Sequence, residues 1–289
     1  MSASVLLALI GTIASAYHPA ATPIAGHEPV PLLTARPATV FWYDEGHRLV
    51  ARLAEERLTP QAAAAVRELL GGQRLADAAL WADRIRAERP DTKPLHYVNI
   101  PLAARSYLPA RDCPTGRCII AAIERDRLTL ANARATPAAR AEALRFLAHL
   151  IGDLHQPLHV ADDGDRGGND RRVTFLGVPK NLHKVWDGEL IEAVGLSEEQ
   201  YYARLRRRMD SLDLPTLERG TTVDWAMEGH DVAARRAYRL TRGATIDRDY
   251  VEASLPSVDR ALIAAGVRLA RVLNEALSGY GPIVAPVAR

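Results

Sequence analysis

The chain is short of cysteine, has no long apolar run and carries almost no charge imbalance, and each shortage removes a class of function. Only two cysteines occur in 289 residues. That is too few for a thiolate metal cluster or a disulfide-built scaffold, and CPTGRC is not the C-x-x-C of a redox pair. Lysine and arginine total 37 against 35 acidic residues, a formal charge of +2, so no broad positive field exists to wrap duplex nucleic acid. Nearly all the basic residues are arginine, and any affinity for phosphate has to be local. The apolar run within MSASVLLALIGTIASA is too short to span a bilayer. Internal repeats and interior linkers are lacking too. What remains, 48% hydrophobic and 25% charged residues, is the composition of a soluble globular chain able to bury a full core.

The N-terminal run ends in Ala14-Ser15-Ala16 and has the form of a secretory signal peptide over residues 1–16, although its first residues hold no Lys or Arg. A buried or interfacial N-terminal segment is the alternative. Residues 17–41 are rich in Pro and Ala without a sustained period, which reads as an extended leader or arm. A secreted or periplasmic location follows from the signal reading. Cysteine usage agrees with it: Cys113 and Cys118 enclose a Pro-Thr-Gly-Arg turn that can bring their Cβ atoms within bridging distance. A local disulfide is preferred there over two reduced, buried thiols.

From Glu45 onward the pattern is helical almost throughout. GHRLVARLAEERL, PQAAAAVRELL, ARAEALRFLAHLIGDLH, EEQYYARLRRRM and DRALIAAGVRLARVLNEAL repeat apolar residues at three and four positions, with Thr59-Pro60 and Thr136-Pro137 as helix starts. Only short runs such as RRVTFLG resemble strands. The expectation is an all-α fold: a single, mainly helical domain over residues 42–283. Gly- and Asp-rich DDGDRGGNDRR is a loop suited to lining a site.

Candidate chemistry lies in short segments. His149 and Asp153 are four apart on one helix face, and the Gln156-Pro157 break lets the chain turn and present His159. His183 and Asp187 repeat the spacing. WADRIR adds Asp83, LHYVNIP adds His96 and GHRLV adds His47. Any one pair reads most simply as a capping or surface pair. Together, in a chain with nine histidines, this imidazole and carboxylate mixture without thiolate suits zinc.

The runs WYDEGHRLVARLA, LWADRIR, PLHYVNIP, CPTGRCIIAAI, ALRFLAHLIGDLHQPLHVADDGDRGGN and VTFLGVPKNLHKVWD together resemble the single-strand-specific zinc nucleases typified by fungal enzymes. These belong to a superfamily that also holds bacterial zinc phospholipases C. Order and spacing agree from Trp42 to Asp187, and WAMEGHDVAARRAY and AGVRLARVLNEAL are similar to the family's C-terminal helices.

The resemblance implies three zinc ions. Asp83, His96, His149 and Asp153 would hold one; His159, His183 and Asp187 a second; His47 and Asp153 a third, together with the α-amine and carbonyl of Trp42 as the mature N-terminus. Asp153 would bridge two ions, and His155 matches a position without a ligand role. Zinc would supply an activated water and stabilise the departing 3′ oxygen, with Asp83 and Asp153 holding the catalytic metals. Arg86 would neutralise charge on the phosphoryl oxygens. Tyr97 matches a base-stacking aromatic. Asn99 stands where the fungal enzymes carry an Asp that reads the base edge, and Asn169 would line the same cleft. The implied activity is hydrolysis of single-stranded DNA and RNA to 5′-mononucleotides, and of 3′-nucleotides; no stable membrane insertion is expected, and no protein partner is evident from the sequence. A phospholipase C and a non-catalytic metal-binding protein are the alternatives.

Overall fold

A computed structural model describes residues 42–280. The signal and arm expected over residues 1–41 lie outside the described residues, as does the processing that would free the Trp42 amine. The helices are α1 (Trp42–Glu55), α2 (Pro60–Leu69), the short α3 (Leu75–Ala78), α4 (Trp81–Arg84) and α5 (Pro109–Asp112), α6 (Ile119–Ala131), α7 (Pro137–Leu154), the short α8 (Leu182–Lys184) and α9 (Leu190–Glu192), α10 (Glu198–Met209), α11 (Leu214–Glu218), α12 (Thr222–Arg235) and α13 (Arg248–Ala276). The fold is mainly helical, as the periodicity requires.

Helix starts follow local chemistry. The Thr59 and Thr136 hydroxyls accept from the N–H groups of Ala62 and Ala139, each with Pro in the first turn. Ser197 with Gln200 and Thr221 with Asp224 form reciprocal capping boxes that open α10 and α12. The last helix is longer than the expected segment from Asp259. It starts at Arg248, where the Asp247 side chain accepts from Tyr250 N–H, and it runs through Pro256. Burial of its face against α1 and α7 outweighs the lost hydrogen bond of one internal proline.

The α7 helix is the axis of the domain. Every residue from Phe146 to Leu154 is buried, because α7 packs against α1, α2, α4, α6 and α13. A helix segment enclosed in this way is apolar nearly all round, so the two polar residues of this buried stretch, His149 and Asp153, stand out. Leu144, Leu147, Leu150 and Ile151 of α7 are fully buried, each contributing roughly 1.5–3 kcal/mol of burial free energy.

One small sheet interrupts the helices. The strands β1 (Arg172–Phe175) and β2 (Val178–Asn181) form an antiparallel hairpin whose Phe175↔Val178 pair leaves a two-residue turn, Leu176-Gly177, both at positive φ. A third strand, β3 (Thr245–Ile246), adds in parallel to the other edge of β1. The hairpin carries the chain from the Gly- and Asp-rich loop back to His183.

Candidate metal centre

Five parts of the fold converge on the C-terminal half of α7. That helix supplies His149 and Asp153, whose Nε2 and Oδ2 lie 3.1 Å apart. His47 comes from α1, 1% exposed, with its ring stacked 3.9 Å from His149. Asp83 comes from α4, and His96 from the 3-10 turn Pro90–His96. The turn after α7, Pro157–His159, brings His159 in, and a π-turn over Val185–Glu189 follows α8 and sets the His183 Nε2 and Asp187 Oδ2 atoms 3.3 Å apart. The wider π geometry is a common feature of functional sites.

These side chains fall into three adjacent groups: His47, His149 and Asp153; Asp83, His96 and His149; and His159, His183 and Asp187, with one ligand atom per residue lying within 4.8 Å of the others in its group. Asp153 is the hub. Its Oδ1 faces His47 at 3.4 Å and His159 at 3.5 Å, while its Oδ2 faces His96 at 2.9 Å and His149 at 3.1 Å. Asp83 Oδ1 lies 3.6 Å from His149 Nε2 and 3.7 Å from His96 Nδ1.

Backbone carbonyls aim the rings. His149 Nδ1 donates to Ala79 O at 2.7 Å, His159 Nδ1 to His96 O at 2.9 Å and His183 Nδ1 to Gly167 O at 2.7 Å. In each case the opposite nitrogen is left as the ligand atom. The Gly167 carbonyl is placed by a loop that tolerates no side chain: a Cβ there would lie 2.4 Å from Leu158 O, at φ +61°. Asp165 anchors that loop. It is fully buried, and it accepts from Gly168 N–H, the Arg171 guanidinium and the Tyr238 hydroxyl.

The donor set fits a cation. Asp187 Oδ2 is a buried carboxylate oxygen without a hydrogen-bond partner, 3.3 Å from His183 Nε2, a costly condition when nothing is bound. The ionisation pattern points the same way. Burial alone would raise the Asp153 carboxyl, yet His149 and His159 hold it well below the ordinary carboxylate range. Asp187 is likewise lowered against burial, by His183 and His159. Burial lowers His47, His96 and His183, favouring the neutral form that ligates, whereas His149 and His159 are raised against burial, chiefly by Asp153. His155 lies outside these groups. Its Nδ1 donates to Ile151 O at 2.7 Å, and its Nε2 accepts from Arg268 at 2.9 Å.

The residues expected to meet substrate lie close by in the chain. Tyr97 follows His96 and is 41% exposed. Its carbonyl accepts from Ile119 N–H, and the next amide, Val98 N–H, donates to His159 O, so its backbone is fixed while the ring faces outward. Asn99 is exposed, and Asn169 is half-buried with its amide donating to Arg166 O. Arg86 lies past the end of α4 in the 3-10 turn Ile85–Ala87, and it still reaches Asp83 Oδ1 at 2.7 Å. Cys113 and Cys118 form a disulfide with Cα atoms 5.7 Å apart. It closes the loop that enters α6 beside Tyr97.

Motif spacing did not reveal Asp165, Arg171 and Tyr238, which support His183 through Gly167. The Gly and Asp density of their loop was a signal. Tyr238, far along the chain, was not.

A helical scaffold that gathers imidazoles and carboxylates in adjacent buried groups is that of a metal-dependent hydrolase. Residues 42–278 match the S1/P1 Nuclease family. The chain is 34% identical over 278 residues to Endonuclease 2 of Arabidopsis thaliana, covering 84% of this chain and 93% of that one. Nuclease P1 of Penicillium citrinum is 29% identical over 264 residues, covering 81% and 97%. Nuclease S1 of Aspergillus oryzae is 27% identical over 267 residues, covering 82% and 92%. The chain belongs to the S1/P1 nuclease family. The phospholipase C alternative is not favoured by these relatives. Among the described residues no helix is long and apolar enough to cross a membrane.

Proposed function

We propose that this protein is a zinc-dependent phosphodiesterase that hydrolyses single-stranded DNA and RNA to 5′-mononucleotides and also removes phosphate from 3′-nucleotides. The observation that carries the reading is Asp153, one buried carboxylate whose two oxygens face imidazoles of different groups. Three zinc ions are assigned: to Asp83, His96, His149 and Asp153; to His159, His183 and Asp187; and to His47 and Asp153 with the amine and carbonyl of Trp42. The mixed imidazole and carboxylate donors suit zinc in each group. When bound, zinc lowers the pKa of a water to near neutrality and stabilises charge on the departing oxygen.

The chain's own groups do the rest. Asp83 and Asp153 hold and orient the catalytic centre. Arg86, tied to Asp83, is held where its guanidinium can pair with phosphoryl oxygens. The outward ring of Tyr97 gives an unstacked base a face, which a base inside a duplex cannot use. Asn99 offers both a donor and an acceptor to a base edge, and Asn169 lines the same cleft.

The catalytic domain is residues 42–283, preceded by a signal over residues 1–16 and an arm over residues 17–41, so the protein is secreted or periplasmic and the arm is trimmed to expose Trp42. Purified protein offered heat-denatured DNA, RNA, 3′-AMP and a phosphatidylcholine analogue, each with and without chelator, tests the reading. Chelator-sensitive cleavage of the first three is expected. Hydrolysis of the lipid alone would overturn it.

A further inference from the structure

Gln156 links the end of α7 to the His159 turn. It is 1% exposed, so every polar atom of its side chain has to find a partner inside the protein. Oε1 accepts from Leu158 N–H at 2.5 Å, and Nε2 donates to Asp187 Oδ1 at 2.5 Å. The partners leave the amide one orientation, because a backbone N–H can only donate and an ionised carboxylate can only accept. The Gln156 backbone is tied as firmly: its N–H donates to Asp153 O, and its carbonyl accepts from His159 N–H, both at 3.0 Å.

This clamp spans two segments that the fold brings together. One end holds the turn that carries His159, and the other holds the Asp187 carboxylate. With Oδ1 engaged, the unpartnered Oδ2 of Asp187 stands 3.3 Å from His183 Nε2, and Oδ1 itself lies 3.4 Å from His159 Nε2. We infer that Gln156 is a positioning residue that presets His159 and Asp187 as ligands of the second metal cluster. The inference rests on the zinc assignment of His159, His183 and Asp187 made above. No other side chain of this size serves both ends. A Glu would set carboxylate against carboxylate at Asp187, and a Met would fill the volume without donating.

The test is site-resolved zinc affinity, measured by competition with a chromogenic chelator on full-length Gln156→Met and Gln156→Glu. Asp187→Asn marks which zinc belongs to this cluster. Both Gln156 variants are expected to weaken that one zinc by roughly 10–100-fold, with the other zincs and the helical circular dichroism as in the parent. Parent-like affinity at that zinc in either folded variant would overturn the inference. So would equal weakening of all zincs with a lowered unfolding transition, because that is the result of a merely structural residue. If one variant does not fold, the other decides. A parent that holds no zinc lost in Asp187→Asn refutes the ligand assignment itself, which is a different result from a parent that holds it and variants that hold it equally.

Discussion

Gly152 precedes the hub carboxylate on α7, and Gly152→Ala separates two opposed expectations. Helix propensity alone predicts a gain of about 0.5–1 kcal/mol for Ala over Gly in a helix interior. The site predicts a loss. A Cβ at position 152 would lie 2.7 Å from His47 Nδ1 and 3.1 Å from its Cε1, well inside ordinary contact. The ring cannot swing away freely, since it is 1% exposed and stacked 3.9 Å from His149. Overpacking of this kind costs about 1–3 kcal/mol, so the net change is destabilisation of about 1 kcal/mol and a fall in Tm of roughly 2–4 °C. The larger effect falls on metal. Moving His47 off Asp153 Oδ1, now 3.4 Å away, is expected to weaken zinc at that group by about 10–100-fold, the cost typical of disturbed ligand support. Differential scanning calorimetry of the metal-free protein and zinc competition on the loaded protein read the two effects separately. A Tm at or above the parent's, with unchanged zinc affinity, would refute the steric reasoning.

Three further outcomes are expected. Tyr97→Ala loses about 1–3 kcal/mol of base stacking, so KM for single strands rises roughly 5- to 150-fold with kcat little changed; an equal KM across nucleotides would make Tyr97 a packing residue only. Burial pulls His159 down, but Asp153 and Asp187 outweigh it and push its pKa up to about 9. Zinc must displace that proton, and its affinity for the His159 group should rise about tenfold per pH unit from pH 7 to 9, which calorimetry in buffers of different ionisation enthalpy measures. Burial and then the Arg268 charge push His155 down to about 3 from 6.5. The unfolded chain therefore binds the extra proton between those values, and stability present above pH 6.5 is lost as pH falls towards 3, by up to about 1.4 kcal/mol per unit. Urea titrations of metal-free parent and His155→Gln at pH 7, 5.5 and 4.5 should diverge accordingly, and parallel curves would contradict the assignment.

The sequence exposed the parts of this site whose spacing equals a helical repeat. His149 with Asp153 share a face because α7 is regular through both, and the Thr-Pro starts of α2 and α7 act through one side-chain bond each. Regularity also explains what was hidden. His183 and Asp187 are legible from their four-residue step, but the π-turn through which they keep it is a local widening that no periodic pattern encodes. The long helix α13 passes through Pro256 because tertiary burial decides there. Asp165 with Tyr238, Arg171 with Leu240 O, and Gln156 with Asp187 act through contacts between distant segments, and a sequence shows such residues only as isolated polar letters.

The central claim is that one carboxylate, Asp153, serves two neighbouring metal groups in single-strand hydrolysis. Asp153→Asn keeps the shape and removes the charge. Zinc content by elemental mass spectrometry, paired with turnover of heat-denatured DNA by the same preparation, is the direct measurement. The account predicts loss of more than one zinc per chain and no detectable cleavage, with the helical content retained. A variant with the parent's full zinc content and normal turnover would contradict it.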